Sequence, residues 1–241
     1  MESINQTNQI VQPISTVIHS LTFPQTVLVE TEEQKKYRLE KLAKSLKEQD
    51  EWELRQKKFL QNKMLSKSGV PKIYLTKTVA DFTITEQNNQ ALYALNNPNY
   101  SYYIYGECGT GKTFLASLIT KEVISQNDIQ PYFFTTNELI FLLNPYKPPE
   151  KSADQPILTR HQIYNSSMLV IDDLGVEKPS PLNNSIMFDL VNYRYNEDLQ
   201  TIFTSNFDIK TLQKRLGSYE GSRLGRRIVS MCKPIFLKNL S

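Results

Sequence analysis

The residues Gly106-Glu107-Cys108-Gly109-Thr110-Gly111-Lys112-Thr113 meet the spacing G-x-x-x-x-G-K-T and follow the apolar run Tyr102-Tyr103-Ile104-Tyr105. Each residue type suits phosphate chemistry. Gly106, Gly109 and Gly111 can adopt positive φ, so successive backbone N–H groups can turn inward around an anion. Lys112 offers a point charge to the β and γ phosphates, and the Thr113 hydroxyl offers a ligand to Mg²⁺. A helix expected over residues 112–126 aims its positive end at the same anion. The cofactors this predicts are ATP and Mg²⁺, with the eight loop residues cradling the phosphates.

Two carboxylates stand further along, at the end of Met168-Leu169-Val170-Ile171-Asp172-Asp173. A continuous apolar run of this kind is the pattern of a central parallel strand, and ligands sit at the C-terminal ends of such strands. Asp172 is expected to hold Mg²⁺, directly or through a water, while Asp173 orients and polarises the attacking water. Asp173 is one methylene shorter than the glutamate many ATPases use, so slow turnover is expected. Thr201-Ile202-Phe203-Thr204-Ser205-Asn206 predicts another buried strand, with Asn206 at its polar end to pin the water or the γ-phosphate. Arg223, Arg226 and Arg227 project from a late helix expected over residues 222–231. A solvated basic face is the ordinary reading of that cluster; the functional one is an arginine supplied to a neighbouring subunit's nucleotide.

The elements that must position these residues are legible from pattern. Residues 131–136 predict a strand, residues 137–143 a helix capped by Thr136 or Asn137, and residues 183–196 a helix with Ile186, Met187, Leu190, Val191 and Tyr195 on one face. A short helix is expected within 86–95, a turn of helix near 158–164, a helix over 209–216, and a last strand at Pro234-Ile235-Phe236-Leu237. The chain has 241 residues, enough for one α/β core and an accessory segment, and its net charge of +3 does not by itself argue for a nucleic-acid binder. Two cysteines, Cys108 and Cys232, support neither a disulfide framework nor a four-ligand zinc site. No secretory leader and no run of about 18 apolar residues is present, so a cytoplasmic protein without membrane contact is expected.

Ahead of this core, residues 1–30 are polar with Pro13 and Pro24, and little fixed structure is expected there. From residue 31 to about 66 the chain turns to Glu, Lys, Arg, Gln and Leu without Gly or Pro, which favours one long helix. Leu39, Leu42, Ala43 and Leu46 form one apolar stripe; Trp52, Phe59, Leu60 and Met64 form an offset second one. Either the helix folds back on its own domain or pairs as a coiled coil, or it is an arm that docks on another protein. Ser68-Gly69-Val70-Pro71 ends the helix, and residues 69–78 read as a linker. The domains are thus 1–30 a flexible segment, 31–67 a helical partner-binding arm, and 68–241 the ATPase domain.

From about residue 68 to 237 the set of motifs resembles the AAA+ ATPases, and within them the DnaC/DnaI helicase-loader branch with its relative, the IstB transposition ATPase. The residues that carry the resemblance are Gly69-Val70-Pro71-Lys72 leading to Asp81-Phe82, the phosphate loop, Ile171-Asp172-Asp173-Leu174-Gly175, Thr204-Ser205-Asn206, and Ser222-Arg223-Leu224-Gly225-Arg226-Arg227-Ile228. The resemblance implies an α/β fold with a central five-stranded parallel sheet of order 5-1-4-3-2 flanked by helices. It implies ATP hydrolysis, assembly of subunits around ATP, single-stranded DNA along the inside of the assembly, and an N-terminal segment that grips the replicative hexameric helicase. By the match to the late helix, Arg227 falls at the family's trans-acting arginine, with Arg223 the second choice. The family's C-terminal arginine, which senses nucleotide in cis, falls beyond Ser241. Rival expectations are an IstB-like transposition accessory ATPase, a P-loop small-molecule kinase, and a nucleotide-binding adaptor that does not hydrolyse.

Overall fold

Short apolar runs build a sheet that is covered on both sides, as parallel strands require. The computed structural model describes residues 31–83, 89–146, 158–178 and 180–238. The expectation for residues 1–30 therefore lies outside the described residues, as do the start of the helix expected from 86 and most of the proline-rich stretch after 146.

The strands are β1 (Tyr102–Tyr105), β2 (Tyr132–Thr135), β3 (Met168–Asp172), β4 (Gln200–Ser205) and β5 (Lys233–Phe236). They form one five-stranded parallel sheet in the order β2-β3-β4-β1-β5, which is the expected 5-1-4-3-2 read from the other edge. Between them run α2 (Asn89–Asn96), α3 (Lys112–Asn127), α4 (Thr136–Leu143), α5 (Arg160–Tyr164), α6 (Pro181–Asn196), α7 (Ile209–Leu216) and α8 (Ser218–Met231). Alternation along the strands feeds two cores. Tyr102, Ile104, Val170 and Ile202 pack with Leu115, Ile119 and Val123 of α3; Tyr103, Leu169, Ile171 and Phe203 pack with Leu190, Leu212 and Ile228. The protein is thus a helix–sheet–helix α/β fold, with its loops of chemical interest at the C-terminal edge of the sheet.

Several element ends shift from the sequence expectation, α8 the most, starting at Ser218 against the expected 222, and two further differences bear on the core. The cap of α4 is Thr135, whose side chain accepts from Glu138 N while the Glu138 carboxylate accepts from Thr135 N at 2.7 Å, a reciprocal box that the neighbouring Thr136 cannot make. Residues 69–78 are not a free linker. Ser68 and Val70 are buried, and the Ser68 carbonyl accepts from Phe133 N at 2.7 Å, extending the edge strand β2. Gly69 has φ 89, and a Cβ there would lie 2.3 Å from the Phe133 carbonyl oxygen, so only glycine fits. Further on, Lys121 of α3 donates to the Tyr74, Leu75 and Lys77 carbonyls, and Tyr74 stacks on Phe114 with ring centroids 5.0 Å apart.

The long helix α1 runs Glu32–Lys67 and preserves the expected length. Contacts divide the chain at Glu53/Leu54. In the first unit the helical residues are exposed throughout, including Leu39, Leu42, Leu46 and Trp52. In the second, the helix end is tied to the α/β core: Leu65 packs on it, Gln130 donates to the Met64 carbonyl at 3.1 Å and Gln61 to the Ser125 carbonyl. Among the described residues no helix is long and apolar enough to cross a membrane.

A further feature that sequence pattern did not reveal is Arg194. It stands on α6 beside Tyr195, yet Arg194 is fully buried and Tyr195 only half-buried. Its guanidinium donates to the Ser166, Tyr164 and Gln200 carbonyls and to the Thr201 and Ser166 hydroxyls, which joins α6 to the starts of β3 and β4. Burial lowers its pKa to about 9. Arg194→Met keeps the stem but removes every donor, leaving buried carbonyls unpaired. The expected loss is about 3 kcal/mol or more, read as a lower urea midpoint at unchanged m-value; a loss under about 1 kcal/mol would mean that water replaces the guanidinium.

Candidate nucleotide site

β1 ends at Tyr105, and the chain then turns at Gly106, whose N–H donates to the Ser205 carbonyl of β4 at 3.3 Å. A Cβ on Gly106 would come within 2.0 Å of the Leu237 carbonyl oxygen, so the start of the loop is locked against the strand end of β5. Gly109 and Gly111 have φ 82 and 87, the conformations the phosphate-cradling reading requires, and α3 begins at Lys112 directly behind them. Around Gly109 a Cβ would meet nothing within 4 Å, so the loop has open space on that side. Glu107, Cys108 and Gly109 are exposed, and Thr110 folds its hydroxyl onto the Glu107 carbonyl at 3.0 Å.

Lys112 is nearly buried. Its ammonium donates to the Gly106 and Glu107 carbonyls at 3.0 and 2.6 Å, and burial lowers its pKa. Its partners are thus backbone oxygens of the loop itself, with no carboxylate within salt-bridge range among the described pairs. A phosphate in the loop would give this charge a stronger partner.

The acidic strand end meets the loop as expected. Thr113 Oγ1 donates to Asp172 Oδ1 and Oδ2 at 3.0 and 3.2 Å, across the end of β4. Asp172 is 5% exposed and also accepts at Oδ1 from the Thr204 hydroxyl. Burial raises its pKa first of all; the Asp173 charge pushes the same way, and the hydroxyl donors from Thr204 and Thr113 pull it back. A buried carboxylate with hydroxyl partners and no cation bonded to it fits a divalent metal. Thr113 and Asp172 are the residues that would hold Mg²⁺. Among the described residues no group of three or more His, Cys, Asp or Glu side chains gathers.

Asp173 is exposed and sits at φ 58, a left-handed conformation uncommon for a residue with a Cβ. Its N–H donates to Thr204 Oγ1 at 2.9 Å, and Leu174 N donates to the Thr204 carbonyl at 2.8 Å. Asn206 follows directly on β4, exposed, one residue past the Tyr105–Ser205 pair and so level with Gly106. The structure therefore gathers Lys112, Thr113, Asp172, Asp173 and Asn206 at one sheet edge. Thr204, which links the two acids, was not among the expected site residues, although it lies in the Thr204-Ser205-Asn206 motif. Only the strand pairing of Ile171 with Phe203 puts it beside Asp172.

The acid loop is clamped from below. Glu177 is buried, accepts from Gly175 N at 2.8 Å, and burial raises its pKa. Arg215 of α7 donates to the Gly175 carbonyl and lies 5.1 Å over the Phe207 ring.

Arg227 is not brought to this cluster. On α8 it donates to Asn192 Oδ1 of α6 at 3.0 Å and lies 4.5 Å over the Tyr195 ring. Arg223 lies 4.0 Å over Phe188, and Arg226 is exposed. With Phe188 and Ser230 the three arginines line a concavity of about 320 Å³. Helix α8 sits close on α7, because a Cβ on Gly225 would fall 2.5 Å from the Gln213 side chain.

The sign of the Asp172 shift predicts a measurable pH dependence. A carboxyl whose folded pKa is raised favours folding in its protonated form; that contribution is present below its unfolded pKa, about 3.9, and is lost as pH rises through the folded value. Without metal, Asp172→Asn removes this penalty at neutral pH. In EDTA the variant's stability relative to wild type is expected to rise between pH 4 and 7, followed by urea denaturation, and the stabilisation given by Mg²⁺ with nucleotide is expected to vanish. A relative stability that falls over that range would contradict the assignment.

Comparison with known proteins places this geometry in a family. The family model for the IstB-like ATP binding protein matches residues 24–239. The replicative helicase loader DnaI of Bacillus subtilis is 24% identical over 144 residues, covering 56% of this chain and 45% of that protein, so the chain spans about half the length of that relative. The replicative helicase loader DnaC of Buchnera aphidicola subsp. Baizongia pistaciae is 24% identical over 176 residues, 69% of this chain and 71% of that one. Among solved structures, that of the DnaC helicase loader superposes with TM-score 0.59 at 27% identity over 70% of this chain and 100% of that chain. The DnaI structure gives 0.57 at 25% identity, over 69% and 94% of the two chains. With the match spanning most of its length and the phosphate loop and paired acids in place, the chain belongs to the IstB-like ATP-binding protein family.

Proposed function

We propose that the protein hydrolyses ATP and uses it to load a replicative DNA helicase onto single-stranded DNA. The observation that carries the nucleotide half is the bond between Thr113 and the buried Asp172, which joins phosphate loop to acid strand as a Mg²⁺ nucleotide requires. The likeness to the loaders named DnaC and DnaI supports the helicase half.

In this reading the loop N–H groups and Lys112 hold the phosphates. Mg²⁺, held by Thr113 and Asp172, supplies charge neutralisation of the phosphate oxygens. Asp173 orients and polarises the attacking water, Asn206 pins water or γ-phosphate from the neighbouring strand, and the short Asp173 side chain keeps turnover slow. Arg227 serves a neighbouring copy, since its own contacts are with Asn192 and Tyr195 and not with its own loop. ATP thereby completes a homo-oligomer, and hydrolysis releases it. The exposed Leu39, Leu42, Leu46 and Trp52 of the first unit form the helicase-gripping face of the arm. An accessory ATPase of transposition would use the same site; the IstB-like family model favours it as the second reading, and capture of helicase against transposase separates the two.

Phosphate release by wild type and Lys112→Ala, with and without single-stranded DNA, tests hydrolysis; equal release by both would remove the ATPase assignment. Arg227→Ala is expected to lower turnover by up to about 10³-fold while ATP affinity of the dilute monomer changes little. Loss of both together would indicate a structural arginine instead. Removing residues 1–53 is expected to abolish helicase capture in size-exclusion chromatography and to leave ATP binding intact, because the helix end that packs on the core begins after that point. Capture by the truncated chain would move the helicase contact elsewhere.

A further inference from the structure

β4 lies between β1, which feeds the phosphate loop, and β3, which carries the acids. Any contact from loop to acid therefore passes over the end of β4, and the buried side chain there that bonds both acids is Thr204. A hydroxyl has one proton and two lone pairs. The Asp173 N–H can only donate, so at 2.9 Å it occupies a lone pair of Thr204 Oγ1. The single Thr204 proton is then left for Asp172 Oδ1, which accepts it. Thr113 also spends its proton on this carboxylate, at 3.0 Å from Oδ1 and 3.2 Å from Oδ2.

We propose that Thr204 is a positioning residue for metal-dependent nucleotide chemistry: its one hydroxyl fixes the Asp172 carboxylate toward Thr113 and holds Asp173 in its left-handed backbone conformation. Two otherwise independent requirements are met by one group. The Asp172 carboxylate could rotate about its terminal torsion if only Thr113 bound it, and the N–H of Asp173, at φ 58, would lose its hydroxyl acceptor. The backbone of Thr204 reinforces the hold by accepting from Leu174 N at 2.8 Å. This inference rests on the Mg²⁺-nucleotide reading of the site, and reaches beyond it in assigning the geometry of both acids to a residue that touches neither phosphate nor metal.

The test separates shape from hydroxyl. Thr204→Val keeps the volume and loses the hydroxyl; Thr204→Ser keeps the hydroxyl and loses a buried methyl. In the full chain, Thr204→Val is expected to raise the Mg²⁺ concentration needed for half-maximal thermal stabilisation by ADP by about 10-fold or more, the range found when groups behind metal ligands are removed. ADP binding in EDTA stays within about 3-fold of wild type. ATP turnover at saturating nucleotide is expected to fall about 10-fold or more with little change in KM. Thr204→Ser recovers Mg²⁺ demand and turnover to within about 3-fold of wild type although its melting temperature is the lower of the two. Mg²⁺ demand that follows melting temperature, with Ser impaired and Val normal, would overturn the proposal and make Thr204 a packing residue. If wild type releases no phosphate, hydrolysis fails as a reading while the Mg²⁺ titration with ADP still decides the role of Thr204; a wild type whose ADP stabilisation ignores Mg²⁺ overturns it.

Discussion

A carboxylate removed from water and bonded by hydroxyl groups is the constraint that organises this protein. Asp172 is held by hydroxyls alone, and Lys112, the nearest ammonium in the loop, is bonded to backbone carbonyls. Burying such a carboxylate is unfavourable in isolation, and the divalent ion and phosphates of the proposed function would offset that cost. The sheet order explains how it is built. With β4 between β1 and β3, the Thr113 side chain at the start of α3 must reach over one strand end to touch Asp172, and Thr204 fills the gap beneath.

The same constraint accounts for the close fastening of the surroundings. The Thr136 hydroxyl donates to the Asp172 carbonyl at 3.1 Å, Ser205 Oγ to the Leu174 carbonyl at 2.7 Å, and Arg215 to the Gly175 carbonyl. Each bond uses a backbone group of the acid loop that would otherwise compete for the side chains or for water. The loop is therefore determined from α4, β4 and α7 at once, which allows a non-glycine residue such as Asp173 to remain left-handed.

What was legible in the sequence was what is local. The phosphate loop, the strand 168–172 with its acids, and the polar end of β4 are runs whose period and spacing carry their meaning without a partner. The strand order came from the resemblance, not from any pattern in the residues. What stayed hidden depends on contacts distant in sequence. Residues 69–78 have the composition of a linker, and only the Ser68–Phe133 bond and the three carbonyls capped by Lys121 show them to be part of the core. Arg194 was invisible for a related reason: a charge within an amphipathic helix is assigned to solvent by pattern, whereas here free carbonyls at the starts of β3 and β4 supply the acceptors. The cap of α4 fell one residue early because Thr135 and Thr136 are equivalent by type and differ only in reach to Glu138.

Helix α6 links the two ends of the molecule's chemistry. Asn192 and Tyr195, three positions apart, share a face and hold Arg227, while Arg194 between them points inward and fixes the helix to the sheet. A guanidinium that is hydrogen-bonded at one nitrogen and stacked on a ring has already lost much of the freedom that a surface arginine keeps. It therefore gives up less entropy when an anion is presented to it. This preorganisation distinguishes Arg227 from Arg226, which is exposed on the same helix and donates to the Ser222 carbonyl at 3.4 Å. In the proposed role, in which the charge arrives on a neighbouring copy, such a mount keeps the side chain ready, and the buried Arg194 fixes the helix that carries it.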